Sequence, residues 1–85
     1  MAEINNLPLR CPCCGHKTLG DRAAYIICQV CFWEDDGQDD STEDEVWGGP
    51  NGDLTLTQGR VNYKLFGACR QKDLPHVRPP RPAEL

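Results

Sequence analysis

Several common signals are missing from this 85-residue chain, and each absence narrows what it can be. The opening run Met1-Ala2-Glu3-Ile4-Asn5-Asn6-Leu7-Pro8 has no basic segment followed by an apolar one, so it does not read as a secretory signal. The longest apolar stretch, Ala23-Ala24-Tyr25-Ile26-Ile27-Cys28, falls well short of the roughly 20 residues a membrane helix needs. Aromatics are few, with two each of Trp, Tyr and Phe, and hydrophobic residues make up only 39% of the chain. So short a chain buries a modest share of its surface and usually needs a staple, such as a metal, disulfides or a partner. Basic residues are also short: nine Lys and Arg face 13 Asp and Glu, for a net charge of −4. A general nucleic-acid binder would be basic, so the balance argues against nucleic acid while leaving a local basic face open. There is no internal repeat and no dividing linker. The expectation is one domain over residues 1–85, with a core about 10–80, a lead-in 1–9 and a Pro-rich tail 74–85.

What the chain does have is six cysteines. Without a secretory signal the expected compartment is the cytoplasm, where thiols stay reduced, and that favours metal over disulfides. Two C-x-x-C pairs carry the argument: Cys11-Pro12-Cys13-Cys14-Gly15 and Cys28-Gln29-Val30-Cys31. This spacing suits Zn²⁺, because a tight turn brings two thiolates to one edge of a tetrahedron about 2.3 Å from the metal. Pro12 sets φ in its turn, and Gly15 can take a positive φ that lets nearby N–H groups aim at sulfur. Such donors matter because Zn²⁺ held by four thiolates leaves about two net negative charges. Arg10, His16, Lys17 and Arg22 lie close in sequence and could offset the rest. The metal ligands are therefore expected to be Cys11, Cys14, Cys28 and Cys31, holding one structural Zn²⁺, with iron the main competitor.

Cys13 and Cys69 are left over. Cys13 adjoins Cys14 and cannot readily ligate in the same turn. Each reads as a small buried residue or as a reactive thiol, and a Cys13–Cys69 pairing would need Cα atoms within about 7 Å. His16 and His76 are weaker ligand candidates, since four cysteines already complete a site. The zinc-deaminase pattern His-x-Glu with Pro-Cys-x-x-Cys is absent, and a thioredoxin-like reading lacks its βαβ setting. No catalytic residues are expected, because a catalytic zinc keeps an open position that four cysteines would close.

Local rules suggest the elements. Lys17-Thr18-Leu19 and Ala23 to Ile27 read as strands of one hairpin about Gly20-Asp21, which would return the chain from the first cysteine pair to the second. Thr55 to Gly67 reads as a helix, with Thr55 and Gln58 forming a capping box and Gly67 the stop. Leu56, Tyr63 and Phe66 share one face, Val61 and Leu65 widen it, and Gly59 marks a close approach. Between Glu34 and Glu45, eight of twelve residues are acidic, leaving the rest of the chain at net +4. This stretch lacks the spacing of an EF-hand loop and reads as a solvated loop or as an acidic surface for a basic partner. Phe32 or Trp33 is expected to pack over the metal site or the helix, whereas exposed tryptophans would suggest an interface. Arg78-Pro79-Pro80-Arg81-Pro82 has the composition of a polyproline-II ligand or of a packed extended tail.

Taken together, Cys11 to Gly15, Thr18-Leu19 and Ile27 to Gly37 resemble the cysteine-rich CPCC family of small bacterial proteins. The resemblance runs on through Gly48 to Gly52, Leu54, Arg60 to Tyr63, Phe66 to Cys69 and Val77 to Pro80. It implies zinc binding by Cys11, Cys14, Cys28 and Cys31 but assigns no function. It also implies a fixed structural job for Trp33 to Gly37 and a docked tail at Arg78-Pro79-Pro80, with positions 38–47 freer. The expected fold is a small α+β metal-bound domain: a rubredoxin-like zinc ribbon of two cysteine knuckles and a short antiparallel sheet, with one C-terminal helix. The expected function is a non-catalytic module binding a protein partner. The alternatives are a thiol-based redox or metal-handling protein using Cys13 and Cys69, then a nucleic-acid-binding ribbon.

Overall fold

The computed structural model describes residues 9–85; the expected lead-in 1–9 otherwise lies outside the described residues. Strand β1 (Leu9–Arg10) pairs antiparallel with β2 (Lys17–Leu19), Leu9 opposite Leu19 and Arg10 opposite Lys17. The strand expected at Lys17 to Leu19 is therefore present, but its partner is not Ala23 to Ile27. Ala23 and Tyr25 sit at φ 57° and 59°, in the left-handed region, so that segment cannot run as a strand. It pairs forward instead: Ile27 bridges Glu34, Tyr25 N–H donates to the Asp35 carbonyl at 3.0 Å, and Asp35 N–H donates to that of Ile26 at 3.1 Å. In place of one hairpin between the cysteine pairs there are two, each wrapped around its own pair.

Helix α1 (Leu56–Phe66) forms where its capping chemistry places it. The Thr55 hydroxyl accepts from Gln58 N–H at 3.0 Å, the Gln58 side chain accepts from Thr55 N–H at 2.9 Å, and Gly67 ends the helix at φ 94°. The face turned to the core is narrower than the sequence suggested. Leu56 and Gly59 are buried and Tyr63 half-buried, while Val61 and Leu65 point outward at 49% and 74% exposure. The seam is narrow because the helix lies close against fully buried Trp33. A Cβ on Gly59 would stand 3.3 Å from two Trp33 ring carbons and 3.2 Å from the Cys13 sulfur. Trp33 thus packs on the helix, with Leu19, Leu56 and Val30 completing the apolar core beside the cysteines.

The acidic stretch is largely tied down. Asp35 is fully buried, and its carboxylate accepts from Arg22 Nε at 2.7 Å, Ala23 N–H at 2.9 Å and Gly37 N–H at 3.1 Å. Several residues from 38 to 43 are also tied into the fold. Gln38 is fully buried and donates to the carbonyls of Thr42 and Glu45 at 2.9 and 2.8 Å. Arg60 reaches from α1 to Asp40 at 2.7 Å, Glu43 at 2.8 Å and the Pro12 carbonyl at 2.8 Å, tying the acidic loop to the first cysteine turn. The tail docks as well. Its last turn packs on β2, and Arg10 donates to the Leu85 carbonyl at 3.0 Å. Arg78 grips the buried Glu84 carboxylate with two 2.8 Å bonds.

Two predictions follow from this packing. Gly59→Leu should destabilise the fold by about 1–3 kcal/mol in denaturant melts, as expected for overpacking a rigid contact; unchanged stability would mean the helix does not press on Trp33. Arg78, with help from the Arg81 N–H, lowers the Glu84 carboxyl from 4.5 to about 2. A depressed acid stabilises fully above its unfolded value and loses that contribution as pH falls through its folded value, here between about 4.5 and 2. Hydrogen exchange should therefore find residues 78–85 protected at neutral pH and deprotected in Glu84→Gln. Equal protection in both would show that another contact holds the tail.

Candidate metal centre

The two cysteine pairs sit on turns of matching backbone design. In the first, Cys13 N–H points at the Cys11 sulfur (3.4 Å), Gly15 N–H donates to the Cys11 carbonyl (2.8 Å), and Cys11 N–H donates to His16 (2.9 Å). In the second, Val30 N–H points at the Cys28 sulfur (3.4 Å), Phe32 N–H donates to the Cys28 carbonyl (2.8 Å), and Cys28 N–H donates to Trp33 (2.9 Å). The residue closing each turn has positive φ: Gly15 at 83° and Phe32 at 73°. For phenylalanine this costs about 1 kcal/mol or more. Its ring stacks on His76 with centroids 5.2 Å apart.

Facing each other, the turns bring the sulfurs of Cys11, Cys14, Cys28 and Cys31 within 4.8 Å of one another. Two of the edges, Cys11–Cys31 and Cys14–Cys28, measure 3.6 and 3.7 Å. A regular tetrahedron with metal–sulfur bonds of about 2.3 Å has edges of about 3.8 Å, whereas a disulfide needs about 2.05 Å. All six cysteines are free thiols. These four residues could hold a metal ion, and all but half-exposed Cys14 are buried.

The electrostatics agree with a cation site. Hydrogen bonds from Cys11, then Cys14, Cys31 and Thr18, push the Cys28 thiol far down. Cys11 and Cys31 are pushed far up, Cys11 first by hydrogen bonding with Cys14 and Cys31 first with Cys11, and burial adds to both. Packed together, the four sulfurs oppose one another's ionisation. A cation among them removes that resistance, because ligation requires the thiolate form. The Thr18 hydroxyl, itself buried, donates to the Cys28 sulfur at 3.0 Å. It is a supporting residue that motif spacing could not reveal, and only its place in the Thr18-Leu19 segment of the family pattern pointed to it. Of the expected charge-softening groups, Arg10 bonds the carbonyls of Gly15 and Leu85, and Arg22 serves Asp35.

Among the described residues, the remaining candidates are not members of the four-sulfur cluster. Cys13 is buried against Gly59. Cys69 is buried with its N–H on the Cys31 carbonyl at 2.8 Å, and burial, reinforced by Cys13 and Asp73, pushes its thiol up to about 12. His16 meets Tyr63 edge-on and His76 stacks on Phe32; among the described residues neither joins the four sulfurs.

Thr18→Val keeps the shape and removes the hydroxyl. Chelator competition should show metal affinity reduced by about tenfold, the lower range for losing a group that supports a ligand; unchanged affinity would make the O–H···S contact incidental. A search of curated proteins returned no match. The family model described as cysteine-rich CPCC covers residues 9–84. With both knuckles, the tryptophan after the second, and the docked tail inside that span, the chain belongs to the cysteine-rich CPCC family.

Proposed function

We propose that this protein is a non-catalytic interaction module, built as a rubredoxin-like zinc ribbon around one structural Zn²⁺. The observation that carries this reading is the cage of four sulfurs from Cys11, Cys14, Cys28 and Cys31, set into the core with near-tetrahedral edges. Such a cage leaves no ligand position for water or substrate, unlike the three-ligand arrangement of catalytic zinc. Four thiolates suit zinc or iron; zinc has no redox chemistry, consistent with a purely structural task. The two matching knuckles support the ribbon architecture, and reduced cysteines fit a cytoplasmic setting. Burial of Cys13 and Cys69, with the Cys69 thiol held protonated at neutral pH, weighs against the redox alternative. The net charge of −4 weighs against nucleic acid.

Zinc contributes about 10 kcal/mol or more to folding in small zinc domains, comparable to the whole stability of a typical domain, about 5–15 kcal/mol. Elemental analysis should find one zinc per chain, and complete chelation at neutral pH should abolish the circular dichroism of the fold. Retention of the spectrum after metal removal would refute the structural role, and an iron chromophore in the native protein would refute zinc. On the metal-loaded protein, alkylation followed by mass spectrometry should find Cys13 and Cys69 slow to react; a fast Cys13 would favour thiol chemistry instead.

A further inference from the structure

The side chains of the acidic stretch that turn inward are used up in folding, but those at its end are not. Asp35 pairs with Arg22, and Asp40 and Glu43 pair with Arg60. Asp36, Asp44 and Glu45 have no cationic partner among the described residues; they accept only from neutral groups, Gln38 N–H and Asn51, the Thr57 hydroxyl, and the Trp47 indole respectively. Directly after them Val46 and Trp47 stand in solvent at 57% and 46% exposure. In a chain with only two tryptophans, one is the centre of the core and the other is spent on the surface.

Trp47 is nevertheless held in place. Its indole N–H donates to the Glu45 carboxylate at 2.9 Å. A Cβ placed on Gly37 would lie 3.7 Å from its ring and 3.2 Å from the Ala23 Cβ, so the ring lies beside the Ala23 segment. That segment carries the second anomaly. Ala23 and Tyr25 are both in the left-handed region, and Tyr25 is 59% exposed. The backbone there is held by Asp35, whose carboxylate accepts from Ala23 N–H and whose carbonyl accepts from Tyr25 N–H. An oriented aromatic ring beside unpaired carboxylates has the chemistry that receives a cation: the π face attracts it and the carboxylates neutralise it.

We propose that Trp47, with Glu45 bonded to its indole N–H and Asp44 next to Glu45 in the chain, is a docking surface for a Lys/Arg-rich segment of another protein. A cationic side chain lies on the Trp47 ring and its neighbours pair with the free carboxylates. This rests on the interaction-module reading and names the partner's chemistry.

The test titrates metal-loaded protein with a synthetic twelve-residue Lys/Arg-rich peptide, measuring affinity by calorimetry and, in chains that keep Trp47, following its indole resonance by NMR, alongside an acidic peptide of equal length. The basic peptide should shift that resonance with an affinity that falls as salt rises, and the acidic peptide should not. Trp47→Ala should weaken binding by roughly tenfold and Trp47→Phe by less, as expected for a cation over an aromatic ring. Asp44→Asn with Glu45→Gln should weaken it several-fold, while metal content and circular dichroism stay unchanged in every variant. Binding as tight to Trp47→Ala as to the native chain would overturn the proposal, as would concentration-dependent self-association through Trp47 without peptide binding. Neither outcome touches the module reading, which fails separately if the fold survives metal removal.

Discussion

Everything in this molecule is arranged around four sulfur atoms brought within 4.8 Å of one another in a chain whose apolar core is small. The apolar core contains few large side chains, chiefly Trp33, Leu19, Leu56 and Val30, and the cysteines themselves are part of it. The cysteine turns are therefore themselves part of the core. Their design follows from charge. Thiolates buried together repel, so each turn aims a backbone N–H at the first sulfur of its pair, and Thr18 adds a hydroxyl to the Cys28 sulfur.

Around this centre the rest of the chain is arranged as clasps, most of them closed by arginine. Arg60 joins the helix, the acidic loop and the first knuckle. Arg22 fixes buried Asp35 and with it the start of the acidic loop. Arg70 ties the segment after the helix to the Gly-rich turn through the Asn51 carbonyl. Arg78 and Arg10 fasten the tail. Arginine suits these roles because its planar fork bonds several acceptors at once and keeps its charge when half-buried. Eight carboxylates in twelve residues are thus partly structural, and the surface left over has a distinct composition: an exposed tryptophan among unpaired acids.

Much of this was legible from residues alone. The four clustered cysteines were legible from spacing, because each C-x-x-C turn can present two sulfurs to one point whatever surrounds it. Helix α1 was legible from Thr55, Gln58 and Gly67, since capping is chemistry between near neighbours. Gly59 was readable as a contact point, because a glycine in mid-helix costs stability unless something needs the space. The pairing of Lys17–Leu19 was not legible: apolar periodicity marks a strand but does not name its partner. The left-handed backbone at Ala23 and Tyr25, which excludes the simple hairpin, is imposed by the buried Asp35 and its neighbours.

By itself, then, the sequence determined the family, the cysteine quartet, and the helix and its ends, because each rests on composition or on spacing within a few bonds. The tertiary structure alone decided which strands pair, which acids are spent on arginines and which are free, that Val61 and Leu65 face solvent, and that Trp33 is buried while Trp47 is not. Those outcomes depend on residues distant in sequence competing for the same space and charge, and no local pattern carries that information.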